Sequence, residues 1–350
     1  MRVAFITVGD TRRLTGGYLY HARVFAGLRA RGIAIDEVVA GEAPLSAQLE
    51  RAAAFGAAFD PRPFDVLAVD ALARAVCAPW LDGWRAARPL VAMVHELPSV
   101  ADPRDGQRAL EQPLLRSDLL IAVSSHGRDI LLRRGVPGER IRVVSPGYDR
   151  LPVPGSARTV AGSSTASRRS VLCVAQWITR KGILSLVQAW ARRPRPGALL
   201  ELIGETGADP VYAEQVRRAI AQARPDAPIR VRGPVDDAAL ARAYRDAALF
   251  VLPSAYEGYG MVYAEALAYG LPVVACDIAP VSELLGAAGR LVPPDDPTAL
   301  DQALGELLGD ADLRARLAAA ALRRAAELPT WDDAVDGFQR ALEAAATRSM

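Results

Sequence analysis

The sequence predicts an α/β chain made of two open, doubly wound parallel sheets. Short aliphatic runs alternate with amphipathic segments, the pattern of repeated βαβ units. The runs are apolar almost throughout, as strands buried on both faces are. The same alternation starts again after a small, polar stretch near the middle of the chain, so two similar halves share the sequence.

In the first half the strand candidates are residues 3–8, 66–69, 90–94 and 119–123. Between the first two, residues 18–31 carry Leu19, Val24, Phe25 and Leu28 at helical spacing and stop at Gly32, which suits a left-handed cap. Residues 152–169 are rich in Pro, Gly, Ser and Thr with no hydrophobic period and read as an interdomain linker. The second series follows at residues 171–175, 199–203, 229–231, 249–252 and 272–275, each followed by a helix-like stretch. In the tail, Trp331, Val335, Phe338 and Leu342 make an amphipathic helical stripe that needs a surface to pack on.

Composition narrows the function classes. The 350 residues are 51% hydrophobic and 23% charged, an ordinary globular make-up with room for two domains. A net charge of +2 speaks against nucleic acid as a partner. Cys77, Cys173 and Cys276 are too scattered for a disulfide framework or a clustered metal site, which suits the reducing cytoplasm. The N-terminus reads as a strand and turn, not a signal peptide, and no apolar run approaches the ~18 residues of a membrane span. The expected location is therefore cytoplasmic, with attachment to the inner face of a membrane left open. Trp80 and Trp84 beside Arg85 and Arg88 could touch such a surface or a lipid acceptor, but a helix-packing stripe is the better account of them.

In open α/β sheets ligands bind beyond the carboxyl ends of the strands, so the strand-to-helix turns are searched first. After the first strand comes Thr15-Gly16-Gly17, where glycine permits close approach and helix amides can meet an anion, or where it serves turn geometry only. The segment from Pro253 to Leu267 places Glu257 before a helix and Glu265 within it. Gly258, Tyr259, Gly260, Met261 and Val262 lie at the helix start, where amides and dipole favour phosphate, while carboxylates can accept from sugar hydroxyls. A third turn, Val174 to Gly182, holds Arg180 and Lys181, the latter the single lysine among 42 basic residues. A compact ammonium where the helix dipole prefers an acid is explained by an anionic ligand or by chance on a solvated surface. His95 closes the strand at residues 90–94, a position for a ligand contact or a satisfied structural histidine. His21 and His126 fall in helices with no clustered partner in view and read as structural.

Together, Lys181-Gly182, the Glu257 to Glu265 spacing, the segment from Ala268 to Ala275 and Ser282-Glu283 resemble the GT-B glycosyltransferases of family 4, glycosyl transferases group 1, a retaining group. The likeness covers nearly the whole chain. Thr15-Gly16-Gly17, His95-Glu96, Ser117-Asp118, Ser124-Ser125 and the run from Ser145 to Asp149 agree with it more loosely. The resemblance implies two Rossmann-like domains facing across a cleft: residues 1–151 for the acceptor, the linker at 152–169, residues 170–329 for the nucleotide sugar, and a last helix in 330–350 returning to the N-terminal domain. It implies that Lys181 binds the donor diphosphate, Glu257 a hydroxyl of the transferred sugar, Glu265 the ribose and the amides of residues 258–262 the phosphates. His95 would face the reacting sugar, and Gly16 and Gly17 join the donor-binding positions. Such enzymes usually carry Gly-Arg where this chain has Ala175-Gln176, so a second cation is missing there and Arg180 is the candidate substitute.

The activity so implied is retaining hexosyl transfer from a nucleoside-diphosphate sugar to an unidentified acceptor, a small molecule, glycan or lipid-linked group, with no cofactor and no metal. Consistent with the last point, no Asp-x-Asp cluster accompanies the phosphate-binding features, and Lys181 with helix amides can neutralise a leaving diphosphate. An epimerase or sugar phosphorylase of the same fold, or a non-catalytic nucleotide-sugar-binding protein, is the rival. A glycoside hydrolase fits poorly because Glu257 and Glu265 share one helix start, and a dehydrogenase because no G-x-G-x-x-G follows either first strand.

Overall fold

A computed structural model describes residues 1–11, 13, 15–101, 106–148 and 170–347. The expected linker at 152–169, together with Asp149, lies outside the described residues. The chain divides into two compact units, Met1–Asp149 with Pro329–Met350, and Arg150–Leu328.

The first unit runs β1 (Arg2–Val8), α1 (Gly16–Ala30), β2 (Ala34–Ala40), α2 (Leu45–Ala58), β3 (Val66–Asp70), α3 (Arg74–Cys77), α4 (Leu81–Ala87), β4 (Leu90–Val94), α5 (Pro98–Ala101), α6 (Gln107–Leu115), β5 (Leu119–Ala122), α7 (Ser125–Arg133) and β6 (Ile141–Val143). Its sheet has the order β2-β1-β3-β4-β5-β6 with every pairing parallel. Strands β3, β4 and β5 are buried along their whole length, which is why they read as unbroken apolar runs. Gly32 ends α1 at φ +80°, and its N–H and that of Ile33 close on the carbonyls of Arg29 and Leu28. The buried face of α1 is Tyr20, His21, Val24, Phe25 and Leu28; Leu19, expected on it, is only half-buried. The spacing 20, 21, 24, 25, 28 follows the helical period better than one starting at Leu19.

The second unit runs β7 (Ser170–Val174), α8 (Ile183–Trp190), β8 (Leu199–Ile203), α9 (Pro210–Ala221), β9 (Ile229–Gly233), α10 (Asp237–Asp246), β10 (Leu249–Leu252), α11 (Met261–Ala268), β11 (Val273–Cys276), α12 (Val281–Leu285), β12 (Gly289–Val292), α13 (Pro297–Gly309) and α14 (Ala311–Glu327). Its parallel sheet has the order β12-β11-β10-β7-β8-β9. Asp296, from the Asp295-Asp296 pair, caps α13 by accepting from the amides of Thr298 and Ala299.

The last helix, α15 (Trp331–Thr347), belongs to the first unit. Its Phe338 ring meets Phe25 of α1 edge-on at 6.3 Å, and a Cβ on Gly27 would come within 2.4 Å of Val335, so α1 and α15 pack closely. Strands β2, β6 and β12 were not foreseen. All three are edge strands with partly exposed residues, so none shows a continuous apolar run. Trp84 is buried against Phe59 at 4.9 Å, and Trp80 donates to the carbonyl of Ala52 at 2.8 Å, so these tryptophans serve packing. Among the described residues no helix is long and apolar enough to cross a membrane.

Candidate functional site

In each sheet the strand order reverses beside the first strand of its unit, and ligands of open α/β sheets bind beyond the carboxyl ends at that reversal. In the second unit it falls between β7 and β10. The turn after β7 carries Arg180 and Lys181, and the loop after β10 carries Ser254 and Glu257. Gly182 permits their meeting: its φ is +67°, and a Cβ there would lie 2.3 Å from the carbonyl oxygen of Pro253. Lys181 Nζ donates to Glu257 Oε1 at 2.7 Å and Oε2 at 2.8 Å. Ser254 Oγ adds a 2.7 Å bond to Oε1, and Arg180 Nη1 lies 3.7 Å from Oε2 while donating to the Tyr256 carbonyl at 3.1 Å. Burial by itself would raise the Glu257 carboxyl, but the Lys181 and Arg180 charges and the bonds from Lys181 and Ser254 outweigh it and hold it below its ordinary value.

Downstream, Gly260 caps α11 at φ +99°, a conformation that L side chains rarely adopt, and its carbonyl accepts from the Tyr263 amide at 3.0 Å to start the helix. Glu265 lies one turn into α11 and accepts at Oε2 from the Tyr244 hydroxyl at 2.8 Å; burial raises its pKa. Tyr244 stacks in turn on Tyr269 at 5.1 Å. Gln176, where a second cation was expected, donates its amide to Glu205 Oε2 at 2.6 Å. That position thus presents a neutral amide already bonded to an acid.

In the first unit the reversal lies between β1 and β3, and Thr7 of β1 and Asp70 at the end of β3 meet there. Thr7 Oγ1 donates to Asp70 Oδ2 at 3.0 Å and the Leu72 amide to Oδ1 at 2.9 Å. Burial nonetheless raises Asp70 to about 6. His21 Nδ1 faces Asp70 Oδ2 at 3.9 Å, and His21 Nε2 sits 2.7 Å from Nε2 of His95. The expectation that His21 had no clustered partner is therefore corrected: α1 turns it inward toward the end of β4. Burial pushes His95 down to about 4, and burial followed by the neighbouring His95 pushes His21 well below its usual value. Gly17 lies against His95, its hypothetical Cβ 3.6 Å from His95 Cδ2, while Gly16 opens α1. His21, Asp70 and His95 are near enough to suggest metal ligands. Two nitrogens on one tetrahedral zinc, however, stand about 3.3 Å apart, and Asp70 lies off the far nitrogen of His21. As arranged, the histidines bond to each other.

Ser254, Tyr244, Glu205, His21, Asp70 and Thr7 were not singled out by sequence reasoning as site members. One signal was present, an acid closing the apolar run at 66–69. The others sit on elements whose neighbours are distant in sequence. Ser124 caps α7 and Asp118 accepts from the Leu90 amide, both structural.

Comparison with known proteins adds a family. The Glycosyltransferase Family 4 model matches residues 20–150, and the model for glycosyl transferases group 1 matches residues 168–310. A D-inositol 3-phosphate glycosyltransferase of Xylanimonas cellulosilytica is 33% identical over 288 residues, covering 73% of this chain and 68% of that protein. The next three relatives carry the same name, and the match spans 64, 63 and 60% of their length. Among solved structures, sucrose-phosphate synthase of Thermosynechococcus elongatus superposes with a TM-score of 0.82 at 22% identity, covering 97% of each chain. Anabaena HepE in complex with UDP and glucose superposes with a TM-score of 0.78 at 20% identity, covering 98% of this chain and 100% of that one. The chain therefore belongs to the family 4 glycosyltransferases of group 1 and has their GT-B fold.

Proposed function

We propose that this chain is a retaining, metal-independent transferase that moves a hexosyl group from a nucleoside-diphosphate sugar to an acceptor hydroxyl. The observation that carries the reading is the Lys181, Arg180 and Glu257 cluster at the reversal of the second sheet, beside the glycine-capped start of α11. An ammonium has three donors, and Lys181 needs two for the Glu257 oxygens, which leaves one for a phosphate. The amides of Gly258, Tyr259, Gly260, Met261 and Val262 supply neutral donors to the same diphosphate. Arg180 adds the cation that Gln176 cannot. Glu265, with Tyr244 on one oxygen, offers the other to the ribose.

Glu257 accepts from Lys181 and Ser254, which fixes its carboxylate to receive a hydroxyl of the sugar. The same cations that depress its pKa weaken it as a nucleophile. Retention then follows if the departing diphosphate takes the acceptor's proton on the face it leaves, while the site stabilises oxocarbenium character. His95 meets the sugar in this reading, and Gly17 keeps the backbone of α1 close to its ring. Names of similar proteins supply the first compounds to try: UDP-glucose as donor, since HepE was solved with UDP and glucose, and a phosphorylated polyol as acceptor.

The test is a thermal-shift panel of UDP, GDP and ADP sugars, followed by turnover with candidate acceptors in EDTA and NMR of the product anomer. A ligand at 100 times its Kd raises stability by about 2.7 kcal/mol. Transfer with retained configuration in EDTA supports the proposal. An inverted product, dependence on a divalent ion, nucleotide release without an acceptor, or binding without turnover would each overturn the part concerned; the last two favour epimerase-like chemistry and a nucleotide-sugar-binding protein.

A further inference from the structure

We propose that His21, backed by Asp70, is a positioning residue that holds the proton of His95 on Nε2, leaving the bare Nδ1 of His95 as the atom that receives a hydroxyl of the transferred sugar. The inference rests on the reading that His95 meets that sugar.

A separation of 2.7 Å between two imidazole nitrogens requires one proton between them, because two lone pairs or two N–H groups would repel. Neither ring carries a charge at neutral pH, since burial depresses both. Two arrangements are left. Either His21 Nε2–H donates to His95, which turns the His21 Nδ1 lone pair toward Asp70, or His95 Nε2–H donates to His21, which places a proton on His21 Nδ1 facing that acid.

Asp70 decides between them. Its oxygens accept from Thr7 Oγ1 and the Leu72 amide, so the carboxylate is held as an acceptor. Its Oδ2 is 3.9 Å from His21 Nδ1, a buried atom with no hydrogen-bond partner among the described residues. Arg74 favours the ionised acid and Glu96 opposes it, and both are weaker influences than burial and the two hydrogen bonds. A carboxylate facing a nitrogen at that range favours N–H over a lone pair. The chain of protons thus runs from His95 Nε2–H to His21 Nε2, with His21 Nδ1–H toward Asp70.

The rest of the His95 ring is confined. Gly17 lies along its Cδ2 edge, and the Tyr20 ring stands edge-on at 5.2 Å. With Nε2 committed to His21, Nδ1 is the remaining polar atom, and as a lone pair it accepts from an O–H but repels an acceptor such as fluorine. The sugar subsite accordingly selects a hydroxyl that donates.

The chain has only three histidines, so nitrogen NMR of the 15N-histidine-labelled protein at pH 7 reads the tautomers directly, with His126→Gln removing the third signal. The expected result is His95 protonated on Nε2 and His21 protonated on Nδ1. His95 protonated on Nδ1, or on both nitrogens, would overturn the proposal whether or not any transfer activity is found. Asp70→Asn should mix or reverse the two tautomers; unchanged signals in that variant would remove Asp70 from the device. In turnover, His21→Leu should lower kcat by roughly tenfold or more with UDP affinity unchanged, and His21→Gln, which keeps an acceptor for His95 Nε2–H, should recover most of it. Equal kcat in the Leu and Gln variants would overturn the positioning role. Wild-type protein with the expected tautomers and no transfer on any sugar would refute the transferase reading alone.

Discussion

Replacing Lys181 by Met tests the centre of the donor site, because it removes the charge while keeping most of the side-chain volume. The pair is 15% and 6% exposed at Lys181 and Glu257, so the substitution leaves a carboxylate in a nearly water-free site. Removing one partner of a buried ion pair costs about 3 to 5 kcal/mol. The Ser254 hydroxyl at 2.7 Å and Arg180 at 3.7 Å remain, which places the loss near the low end, about 3 kcal/mol. In a unit the size of Arg150–Leu328 this lowers Tm by about 6 to 12 °C. Glu257→Gln should cost less than Lys181→Met, because the Lys181 ammonium is the more exposed partner and can turn toward water. The double variant should then be about as stable as Glu257→Gln alone. Binding separates the two residues the other way. Lys181→Met should weaken UDP by about 1.5 to 3 kcal/mol in calorimetric titration, the loss of one charge-assisted bond, while Glu257→Gln keeps UDP and loses transfer. A Lys181→Met protein that melts with the wild type and binds UDP equally well would refute both the pair's energetic role and the place of Lys181 at the diphosphate.

Further tests follow from other parts of the chain. Arg180→Ala should weaken UDP binding in the same titration, since Gln176 is a neutral amide bonded to Glu205; wild-type affinity would show that Arg180 does not stand in for the missing cation. Truncation before Thr330 should expose the α1 surface around Phe25 and Gly27, seen as aggregation and a lower Tm, and a truncated chain as soluble and stable as the full one would contradict the packing of α15. His95→Ala should lower turnover by about a hundredfold with UDP affinity nearly unchanged; normal turnover with a lower Tm would make it a structural residue.

Stability should also fall in mild acid, as denaturant unfolding at pH 7, 6 and 5 can measure. The unfolded His95 takes a proton near 6.5 and the folded one near 4, so between those values the unfolded state binds more protons and is favoured as pH falls, by up to about 1.4 kcal/mol per unit. His21 acts in the same direction. Asp70, raised to about 6, protonates first in the folded state and offsets part of the loss as pH falls below 6. Asp70→Asn should therefore steepen the acid dependence. Stability that rises from pH 6.5 to 5 would contradict the two depressed histidines.

Local composition decided which segments became the interior of each sheet. The runs that form β3, β4, β5 and β10 are apolar because both faces of those strands are covered, and that pattern is legible without any neighbour. The turn chemistry was equally local: Gly32 ends α1, Gly260 opens α11, and the lone lysine beside Gly182 stands out in a chain otherwise committed to arginine. Edge strands β2, β6 and β12 escaped because half-exposed strands lose the continuous apolar signal. Tertiary structure alone decided the partners. Lys181 and Glu257 are 76 residues apart and His21 and His95 are 74 apart. Lys181 and Glu257 meet because β7 and β10, far apart in the chain, are neighbours in the sheet, and His21 and His95 meet because α1 turns His21 toward the end of β4, two strands from β1; no periodicity or spacing encodes either meeting. Strand order is set by which buried faces cover one another across the whole unit, and the chemistry of both sites lies at the point where that order reverses.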